Sequence, residues 1–411
     1  MKTTVAIVGG GPGGSTTASY LARHGIDSVI VEKATFPRFR VGEALTGEVG
    51  AIIRDLGLEE EMSQFAEKTA GIVVGPNGRN AFSVPTKRRD PVHGLCDTTT
   101  WQVRRAPFDK MLLDRAADNG VSVVNARAVE PVVEDGVVRG IVVDREGGAE
   151  ETIYADVVVD ASGPATFLAQ AGLTGPKERG QYARQIAVYS HYSGAQFDPE
   201  NGATNTHIYY KSSYHWAWLI PMGGDTVSIG VVTPSDYYRD TGEGKEAFLA
   251  RELRELNPGL AERSATLEKM EDVHVVSNFS YQIPRFTGPG FICVGDAHRF
   301  LDPIFAFGVH LAMVEGRRAA DTVADCLAHG GPAEPGVFDD HARICEIGQD
   351  IVQSLVDGFW WNPFAFAVFV HRRYTDDFLD LFAGRVYQEV PSPGVQALLN
   401  LNKIAAGRTY Y

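Results

Sequence analysis

Continuous runs of apolar residues, bounded by glycine-rich turns, dominate the first part of the chain. Residues 5–8 and 29–31 are two such runs, and residues 15–22 between them have the pattern of a helix. Two later runs, residues 155–159 and 291–294, end close to an aspartate. Runs that are apolar at every position are typical of strands buried on both faces. The pattern therefore predicts a mainly parallel sheet, covered by helices, that begins near residue 1.

A strand-like and aromatic-rich pattern occupies the middle of the chain. Residues 185–193 and 206–232 predict a second, mostly antiparallel sheet, and Pro76-Asn77-Gly78 predicts a hairpin turn ahead of it. Residues 121–143 predict a small β-meander with a turn at Glu134-Asp135-Gly136. Helices are predicted at residues 43–56, 107–117 and 246–260, and from about residue 308.

Composition and charge narrow the class of protein. With 411 residues, 44% hydrophobic and 22% charged, the chain has an ordinary globular composition and can bury a large core as two intertwined lobes. The net charge of −14 argues against nucleic acid or an anionic membrane surface as a partner. Its four cysteines are widely spaced and form no C-x-x-C motif, so we expect neither a disulfide nor a zinc site.

Two features bear on localisation. The first predicted strand starts almost at residue 1, which leaves no room for a signal peptide. The longest apolar stretch, residues 359–370, is interrupted by Asn362-Pro363 and is too short to span a bilayer. We therefore expect a cytoplasmic protein without a membrane segment.

A glycine motif joins the first two apolar runs. Residues 9–14, Gly-Gly-Gly-Pro-Gly-Gly, open the predicted helix, and the second strand ends at Glu32. Gly9 permits the tight turn, Gly11 lets the backbone approach a pyrophosphate, and Gly14 lets helix and strand pack closely. The helix N-terminus offers N–H groups to the phosphates, and Glu32 can accept hydrogen bonds from a ribose. This unit predicts one dinucleotide site. The sequence contains no second motif of this kind, so a separate site for NAD(P)H is not expected.

Three further segments indicate which dinucleotide binds. Residues 36–43 (FPRFRVGE) follow Glu32, Gly295-Asp296 follows a buried strand, and residues 300–303 (FLDP) precede the helix at 308. With these segments the chain resembles the flavoprotein monooxygenases of the p-hydroxybenzoate hydroxylase type. In that family the Gly-Asp pair holds the ribityl chain, and the following helix N-terminus faces the isoalloxazine. A strand ending at an aspartate ahead of a helix supplies a hydroxyl acceptor and a polarising dipole together. FAD is therefore the expected cofactor.

The same resemblance implies which residues hold FAD. An arginine before Phe108-Asp109 approaches the flavin nucleotide in the family, and Arg105 fits that spacing better than Arg104. For either arginine a surface salt bridge stays open as an alternative. The predicted cofactor-binding residues are Gly9, Gly11, Pro12, Gly13, Gly14, Glu32, Lys33, Arg40, Gly42, Glu43, Arg105, Ala128, Asp160, Gly163, Gly295, Asp296, Pro303, Gly308 and Val309.

These observations predict an α/β fold with three parts. A Rossmann-type FAD-binding domain, residues 1–60, 100–180 and 285–330, is interwoven with a substrate domain. The substrate domain is a mostly antiparallel sheet formed by residues 61–99 and 181–284. Residues 331–411 are expected to form a short helical C-terminal region.

Residues 214–221, Tyr-His-Trp-Ala-Trp-Leu-Ile-Pro, narrow the function. Trp216 and Trp218 are two positions apart, so their side chains point to the same face of a strand. Paired aromatic residues on a sheet are commonly core residues. In a flavoprotein, however, W-x-W-x-I-P resembles the motif that is diagnostic of the flavin-dependent halogenases. The resemblance spans most of the chain and includes the glycine motif, residues 41–43 and residues 302–312.

The halogenase resemblance implies a two-component reaction. Reduced FAD arrives from a separate flavin reductase and reacts with O2 to a flavin C4a-hydroperoxide, which chloride or bromide attacks to form hypohalous acid. The acid moves through a tunnel to a lysine that delivers it or hydrogen-bonds it beside the substrate. Lys68 fits the family position of that lysine, although taken alone it is a surface residue. The candidate catalytic residues are Lys68, Trp216, Trp218, Phe307 and Gly308.

One departure from the family pattern keeps a second class open. Halogenases carry two serines before the glycine found here as Gly308, whereas this chain has Ala306-Phe307. Two hydroxyls are lost, and a phenyl ring in the halide cavity would prevent halide binding. The alternative is an aromatic hydroxylase, or a substrate-oxidising dehydrogenase or oxidase, on the same scaffold. Neither needs Lys68 or a halide.

The substrate is predicted only as a class. Phe359, Trp360, Trp361, Phe364 and Phe366 are expected either to form an apolar wall for a small aromatic ligand or to belong to a core helix. The run Lys87-Arg88-Arg89, on a predicted loop, would dock an acidic carrier protein with a tethered substrate or would be a solvated turn.

Overall fold

Two large β-sheets and a set of C-terminal helices organise the molecule. The computed structural model describes residues 1–79, 81–90, 92–145, 148, 150–180, 184–197, 204–277 and 280–406. The strands are β1 (Lys2–Val8), β2 (Ser28–Glu32), β3 (Ala66–Lys68), β4 (Ala70–Val74), β5 (Ala81–Pro85), β6 (Lys87–Asp90), β7 (Gly94–Asp97), β8 (Thr100–Gln102), β9 (Ser122–Asn125), β10 (Arg127–Glu134), β11 (Val137–Asp144), β12 (Glu150–Asp160), β13 (Glu178–Arg179), β14 (Gln185–Ser193), β15 (Thr206–Ser212), β16 (His215–Pro221), β17 (Val227–Pro234), β18 (Glu268–Lys269), β19 (His274–Ser277), β20 (Tyr281–Gln282), β21 (Thr287–Gly288), β22 (Phe291–Cys293) and β23 (Arg299–Phe300).

The helices are concentrated after the second sheet. They are α1 (Pro12–Arg23), α2 (Gly47–Asp55), α3 (Arg105–Asp118), α4 (Phe167–Gln170), α5 (Ser235–Thr241), α6 (Lys245–Glu255), α7 (Pro258–Arg263), α8 (Gly308–His329), α9 (Asp339–Trp361), α10 (Pro363–Val368), α11 (Thr375–Ala383) and α12 (Pro393–Ala406). A π-helical turn, Phe369–Arg373, follows α10.

The first sheet contains the apolar runs. Strand β1 lies between β2 and β12, and β9 and β22 extend these pairs, all in parallel. Strands β10 and β11 continue the sheet beyond β12 in antiparallel fashion. All five residues of β2 are buried, and α1 packs against both α8 and α3. Helices thus cover the parallel strands, as continuous apolar runs require.

The second sheet has the strand order β18-β14-β17-β16-β15-β4-β5, and β15 and β4 are parallel within an otherwise antiparallel arrangement. Every residue of β16 is buried, because helices cover both faces of this central strand. One face packs against α6 and α7. The other packs against the C-terminal helices in a cluster of aromatic side chains.

The predicted α/β class is confirmed. The strands of the first sheet come from residues 1–60, 100–180 and 285–330, and those of the second from residues 61–99 and 181–284. The exact domain boundaries stay a prediction, and the one at residue 181 lies outside the described residues. Where the chain is described, no helix is long and apolar enough to cross a membrane. All four cysteines are free thiols.

Two predicted elements at the start of the chain were wrong in part. The helix predicted over residues 43–56 begins only at Gly47, because Ala44 forms an isolated bridge to Gln102 and the Thr46 hydroxyl caps the helix by accepting from Val49 N at 3.4 Å. Helix α3 begins at Arg105 rather than at Pro107. Proline is tolerated there because the first helical turn needs no N–H donor.

Two further predictions were wrong in topology. The predicted meander over residues 121–143 is only a hairpin, because β9 pairs in parallel with β2 and leaves β10 and β11 as the antiparallel pair. The basic run predicted as a loop, Lys87-Arg88-Arg89, lies in β6, which pairs with β7 in a separate two-stranded sheet. Both errors arise from strand pairing, which local patterns do not specify.

Candidate active site

A cavity of about 1540 Å³ extends from the glycine turn after β1 to the tryptophans of β16. It lies at the carboxyl ends of β1 and β2, where open α/β sheets bind ligands. The predicted residues on its wall are Gly9, Gly11, Pro12, Gly13, Glu32, Lys33, Arg40, Gly42, Glu43, Arg105, Ala128, Gly163, Trp216, Trp218, Asp296, Pro303, Gly308 and Val309. The structure therefore brings most of the candidate residues to one enclosed space.

The glycine turn leaves its backbone open to a ligand. Gly9 has a φ of 104°, and a Cβ on it would lie 2.5 Å from the Ala161 carbonyl oxygen. Ser15 N donates to Gly11 O at 2.9 Å, so the amides of Gly13 and Gly14 have no acceptor within the helix. These amides and the helix dipole suit a pyrophosphate.

Glu32 is fixed at the end of β2 by the backbone around it. The carboxylate accepts hydrogen bonds from Gly10 N and Ala34 N, each at 2.8 Å. The side chain is buried, yet the residue lines the cavity beside Lys33. A carboxylate has more lone pairs than these two bonds use, so it can also accept from ribose hydroxyls.

Asp296 and Arg105 provide the polar groups in the middle of the cavity. Burial raises the pKa of the Asp296 carboxyl to about 7, an effect that the positive charge of Arg105 opposes. Arg105 is held by Asp109, at 2.8 Å from Nε, and donates to Val41 O at 2.7 Å. Among the described residues, none makes a hydrogen bond to the Asp296 carboxylate. An enclosed acceptor of this kind fits the hydroxyls of a ribityl chain, so the residues present fit FAD.

A buried network supports the Gly295-Asp296 turn from behind. The Glu315 carboxylate on α8 accepts from Gly295 N at 2.7 Å and lies 2.9 Å from His298 Nε2. Gln349 Nε2 donates to the same carboxylate at 2.7 Å, and Phe286 stacks on the His298 ring at 3.8 Å. Burial raises the pKa of Glu315, but His298 and the hydrogen bonds outweigh it and keep the pKa below its ordinary value. Sequence reasoning missed this network, since its members are far apart in the chain.

Three predicted cofactor residues do not face the cavity. A Cβ on Gly14 would overlap the Gly9 carbonyl oxygen, and a Cβ on Gly295 would lie 3.0 Å from Ala312, so both glycines serve close packing. Asp160 is fully buried and accepts from Ser162 N at 3.0 Å and from Leu168 N at 2.8 Å. It shapes the turn after β12, and its neighbours Ala161 and Gly163 line the cavity instead.

The tryptophans lie at the opposite end of the cavity. The rings of Trp216 and Trp218 are 6.0 Å apart on one face of β16, as their spacing predicts. Trp218 Nε1 donates to Ser228 Oγ at 3.0 Å, whereas Trp216 Nε1 is buried with no partner among the described residues. A Cβ on Gly230 of β17 would overlap the Trp218 ring, so this glycine makes the room that the ring needs.

The start of α8 forms the wall between these ends. Ala306 adopts a φ of 58°, and Gly308 and Val309 line the cavity beyond it. Phe307 is buried but does not line the cavity; its ring packs edge-on against His310 at 5.5 Å, within the aromatic cluster. Leu311 N donates to Phe307 O at 2.8 Å, so the amides of the first helical turn have no acceptor within the helix. The phenyl ring therefore leaves the cavity open at this point.

Lys68 lies just outside the cavity. Its Nζ donates to Leu45 O at 3.1 Å, and the adjacent residue Ala44 lines the cavity. The residue is only partly exposed to solvent, and burial of its ammonium group lowers the pKa of that group to about 8. The structure thus places Lys68 beside the wall, separated from the cavity by the Glu43–Leu45 backbone.

Sequence reasoning missed residues that cover the cavity. The Arg38 guanidinium lies 3.2 Å from the Cβ position of Gly11 and 3.3 Å from Asp109. Phe39 stacks on His274 of β19, with ring centroids 4.3 Å apart. Both follow the second strand in the same short segment as Arg40, and the signal for them was an arginine-aromatic alternation.

Comparison with known sequences gives a consistent result. A family described as FAD binding domain matches residues 2–352. The 1H-pyrrole-2-carbonyl-[peptidyl-carrier protein] brominase of Pseudoalteromonas luteoviolacea (strain 2ta16) is 37% identical over 364 residues, 88% of this chain and 86% of that protein. The tryptophan 2-halogenase of Chondromyces crocatus is 31% identical over 335 residues, 80% of this chain and 62% of that protein.

Solved structures agree with the sequence comparison. The flavin-dependent brominase Bmp2 superimposes with a TM-score of 0.91 at 35% identity, covering 99% of both chains. The myxobacterial chondrochloren halogenase CndH, an FAD-dependent halogenase, gives a TM-score of 0.79 at 25% identity, covering 98% of this chain and 96% of its own.

Proposed function

This chain belongs to the flavin-dependent halogenases, and we propose that it halogenates a small aromatic acyl group presented on a carrier protein. The observation that carries the proposal is the continuous cavity that joins an FAD-type cradle to the paired tryptophans. The relative from Pseudoalteromonas luteoviolacea acts, by its name, on a pyrrole-2-carbonyl group of a peptidyl carrier protein. That similarity favours a tethered aromatic substrate over a free one.

The nucleotide end of the cavity has residues for each part of FAD. The glycine turn and the N-terminus of α1 suit the pyrophosphate, Glu32 the ribose and Asp296 the ribityl chain. When bound, reduced FAD supplies the electrons that activate O2 for oxidation of the halide. Because only one dinucleotide motif is present, we infer that a separate reductase delivers the reduced flavin.

The first turn of α8 is the proposed halide site. Gly308 and Val309 present backbone amides at the cavity wall, and the helix N-terminus favours an anion. The two serine hydroxyls of the family pattern are missing here, but the backbone amides remain in place. The Phe307 ring packs away from the cavity and so does not compete with chloride or bromide.

Lys68 is the proposed residue that positions the oxidised halogen near the substrate. A pKa of about 8 means that part of its amine is unprotonated near neutral pH, so it can act either as a nucleophile or as a hydrogen-bond donor. Trp216 and Trp218 line the cavity, and their proposed role is to provide an apolar wall that confines the oxidant on its way to Lys68. The residue that meets the substrate therefore lies beyond the flavin cavity.

The test is a halogenation assay with purified protein, FAD, a flavin reductase, NADH, O2 and bromide, on a carrier loaded with pyrrole-2-carbonyl. We expect the bromine isotope pattern in the product mass spectrum. Lys68→Ala should eliminate brominated product while NADH and O2 are still consumed. Lys110→Ala is the matched control, since Lys110 only pairs with Asp114 on the surface of α3.

Two outcomes would contradict the proposal. An oxygenated product that forms without halide and survives Lys68→Ala would identify a hydroxylase or oxidase on the same scaffold. Rapid oxidation of NADPH by the chain alone, stimulated by substrate, would identify a single-component enzyme and remove the need for a reductase.

A further inference from the structure

A groove on the outer side of the aromatic cluster is separate from the flavin cavity. It has a volume of about 420 Å³ and lies between the turn after β4 and the helices α9 and α10. We call it the α10 groove; its wall consists of Gly75, Pro76, Asn77, Ala81, Phe82, Tyr210, Phe359, Pro363, Phe366, Ala367 and His371. Most of these side chains are apolar or aromatic.

The rim of the α10 groove exposes apolar side chains. Phe364 is 83% exposed and Val368 is 36% exposed. The two residues are one helical turn apart, so they lie on the same face of α10. Their neighbours Pro363 and Ala367 line the groove. An exposed phenyl ring next to an apolar groove is typical of an interaction surface.

Two cationic side chains, those of Arg372 and Arg373, follow directly on the same rim. His371, Arg372 and Arg373 form the exposed end of the π-helical turn after α10. In the part of the chain that the structure describes, neither Arg372 nor Arg373 forms an ion pair; Arg373 lies over the Tyr374 ring at 5.4 Å. The chain as a whole carries a net charge of −14, so the charge of this rim is opposite in sign to that of the chain.

The other basic run, Lys87-Arg88-Arg89 on β6, differs from this rim because its charges are paired within the chain. Lys87 pairs with Asp97 at 2.7 Å, Arg88 pairs with Asp90 at 3.3 Å, and Arg89 pairs with Asp380. Asp376 and Asp377, at the start of α11, also raise the pKa of Arg89. The charges of β6 are therefore already matched by the chain itself, whereas those of Arg372 and Arg373 are not.

The groove also lies close to the flavin cavity. Phe359 and Phe366 in its wall contact Phe305, with ring centroids 5.5 Å and 6.2 Å apart. Phe305 stands between Ile304 and Ala306, and both of these line the flavin cavity. These rings therefore form the packed layer that lies between the groove and the start of α8.

We propose that the α10 groove is the docking site of a small acidic carrier protein, which presents the tethered aromatic substrate from this side. Phe364 and Val368 cover an apolar patch of the carrier, and Arg372 and Arg373 pair with its carboxylates. This inference rests on the proposed function, because it takes the carrier-bound substrate as given. Complementary charge makes such an interface fast to form and sensitive to salt.

Direct binding is measured first, so that docking is tested apart from catalysis. The probe is a fluorescently labelled carrier protein that bears pyrrole-2-carbonyl through a stable amide, titrated with the full-length chain. The double variant Arg372→Glu/Arg373→Glu should weaken binding at least tenfold. Lys87→Glu/Arg88→Glu makes the same change of charge on β6 and should alter binding less than twofold. Phe364→Ala should weaken binding severalfold, whereas Val390→Ala, at a residue that is 87% exposed elsewhere, should not.

Turnover separates docking from a general effect on the active site. With the carrier-bound substrate, kcat/KM of Arg372→Glu/Arg373→Glu should fall in parallel with binding. With the same acyl group on free pantetheine, kcat/KM should stay within twofold of wild type. At high salt the difference in kcat/KM between wild type and this variant should become smaller, because salt also screens the attraction between the wild-type arginines and the carrier.

The proposal is overturned if wild type does not bind the carrier, or if the β6 variant loses binding and the groove variant does not. Equal losses with carrier-bound and free substrate would also overturn it, because the groove would then serve folding or access. If the carrier binds through the groove but no halogenated product forms, docking stands and the proposed function fails.

Discussion

The two ends of the flavin cavity keep their shape by different means. At the nucleotide end, glycines leave no space for a Cβ, and buried carboxylates such as Glu32 and Glu315 fix backbone amides one by one. At the aromatic end, the Trp216 and Trp218 rings belong to a packed cluster of apolar side chains. Behind the cavity wall this cluster includes Phe305, Phe359 and Phe366, whose mutual contacts are ring contacts and not hydrogen bonds. The fixed backbone amides at the nucleotide end admit only one ligand geometry. The packed rings at the aromatic end set only a volume, and different combinations of side chains can fill that volume.

This difference predicts which substitutions each end of the cavity tolerates. A turn built from backbone groups accepts only a ligand that approaches as closely as a pyrophosphate does. An aromatic cluster tolerates exchange of volume among its members. We therefore expect substitutions at the nucleotide end to abolish cofactor binding, and substitutions at the aromatic end to change stability or substrate while FAD is retained.

The largest effect is expected at Gly14. In Gly14→Ala the new Cβ overlaps the Gly9 carbonyl oxygen, so helix α1 cannot keep its distance from the turn. We expect purified protein without bound flavin, measured by absorbance in the visible range after gel filtration with FAD. Gly71→Ala is the matched control, since a Cβ there meets nothing within 4 Å. A flavin content equal to that of wild type in Gly14→Ala would show that the turn is not the cofactor site.

A smaller but substantial effect is expected in the aromatic cluster. Phe366 is 1% exposed and contacts Phe305, Phe359, Phe378 and Phe382. Phe366→Ala should lower the free energy of unfolding by about 3–5 kcal/mol, the usual cost of removing a buried phenyl ring. Bound flavin per folded protein should not change. Phe364→Ala, on the same helix but exposed, should change stability by less than about 0.5 kcal/mol in the same denaturant titration.

Loss of FAD from folded Phe366→Ala would break the distinction between the two ends. It would mean that the aromatic cluster also holds the cofactor geometry. Stability of both variants should be measured with and without added FAD, so that lost ligand and lost packing are told apart.

Lys68 allows a prediction of how the free energy of unfolding depends on pH. Burial lowers its pKa in the folded chain to about 8 from the ordinary value of 10.5. Between these values the folded chain has lost a proton that the unfolded chain keeps, so stability rises with pH. Relative to Lys68→Met, wild type should gain about 2–3 kcal/mol between about pH 7.5 and 10, somewhat less than the full shift because the side chain is partly exposed.

The measurement is a set of urea titrations of both proteins across this range. A difference that stays flat with pH would show that Lys68 is solvated in the folded chain and has an ordinary pKa. Lys110→Met, which removes an exposed lysine paired with Asp114, is the control for the loss of one positive charge.

The smallest effect is expected at Phe307. Because the ring packs in the aromatic cluster and not in the cavity, Phe307→Leu should cost less than about 1.5 kcal/mol of stability. The bromide concentration at half-maximal rate should change by less than about tenfold, which corresponds to about 1.4 kcal/mol. A much larger change in halide dependence would place the ring at the halide site.

The nucleotide end was predictable because its signals are local. The glycine turn, Glu32, Gly295-Asp296 and the start of α8 each occupy a few consecutive residues, and each maps onto one backbone feature. Even there, the motif assigned only Gly14 to close packing, whereas Gly295, which was expected to hold the ribityl chain with Asp296, also serves packing. Whether a Cβ meets a ligand or another chain segment depends on the tertiary structure.

The aromatic end was predictable only in part. The spacing of Trp216 and Trp218 gives their shared face, but the side to which the Phe307 ring turns depends on Ala306, whose φ is positive. The network of His298, Glu315 and Gln349 spans three separate segments, and no local pattern indicates it. Ion pairs such as Arg89 with Asp380 are likewise invisible until strands and helices are placed together.

Helix α8 connects the two ends as one rigid spacer. Its first turn lies at the cavity wall, Ala312 and Gly316 contact the glycine turn, and a Cβ on Gly316 would lie 2.6 Å from the Gly13 carbonyl oxygen. At 1.5 Å of rise per residue, the helix therefore sets a fixed distance between the glycine turn and its own first turn, the proposed halide site. The enzyme cannot tune that distance by sliding the helix, because a shift of one residue would break the contact at Gly316. With the proposed halide site at the first turn of α8, we therefore expect a change of halide size to be accommodated by side chains around that turn rather than by movement of the helix.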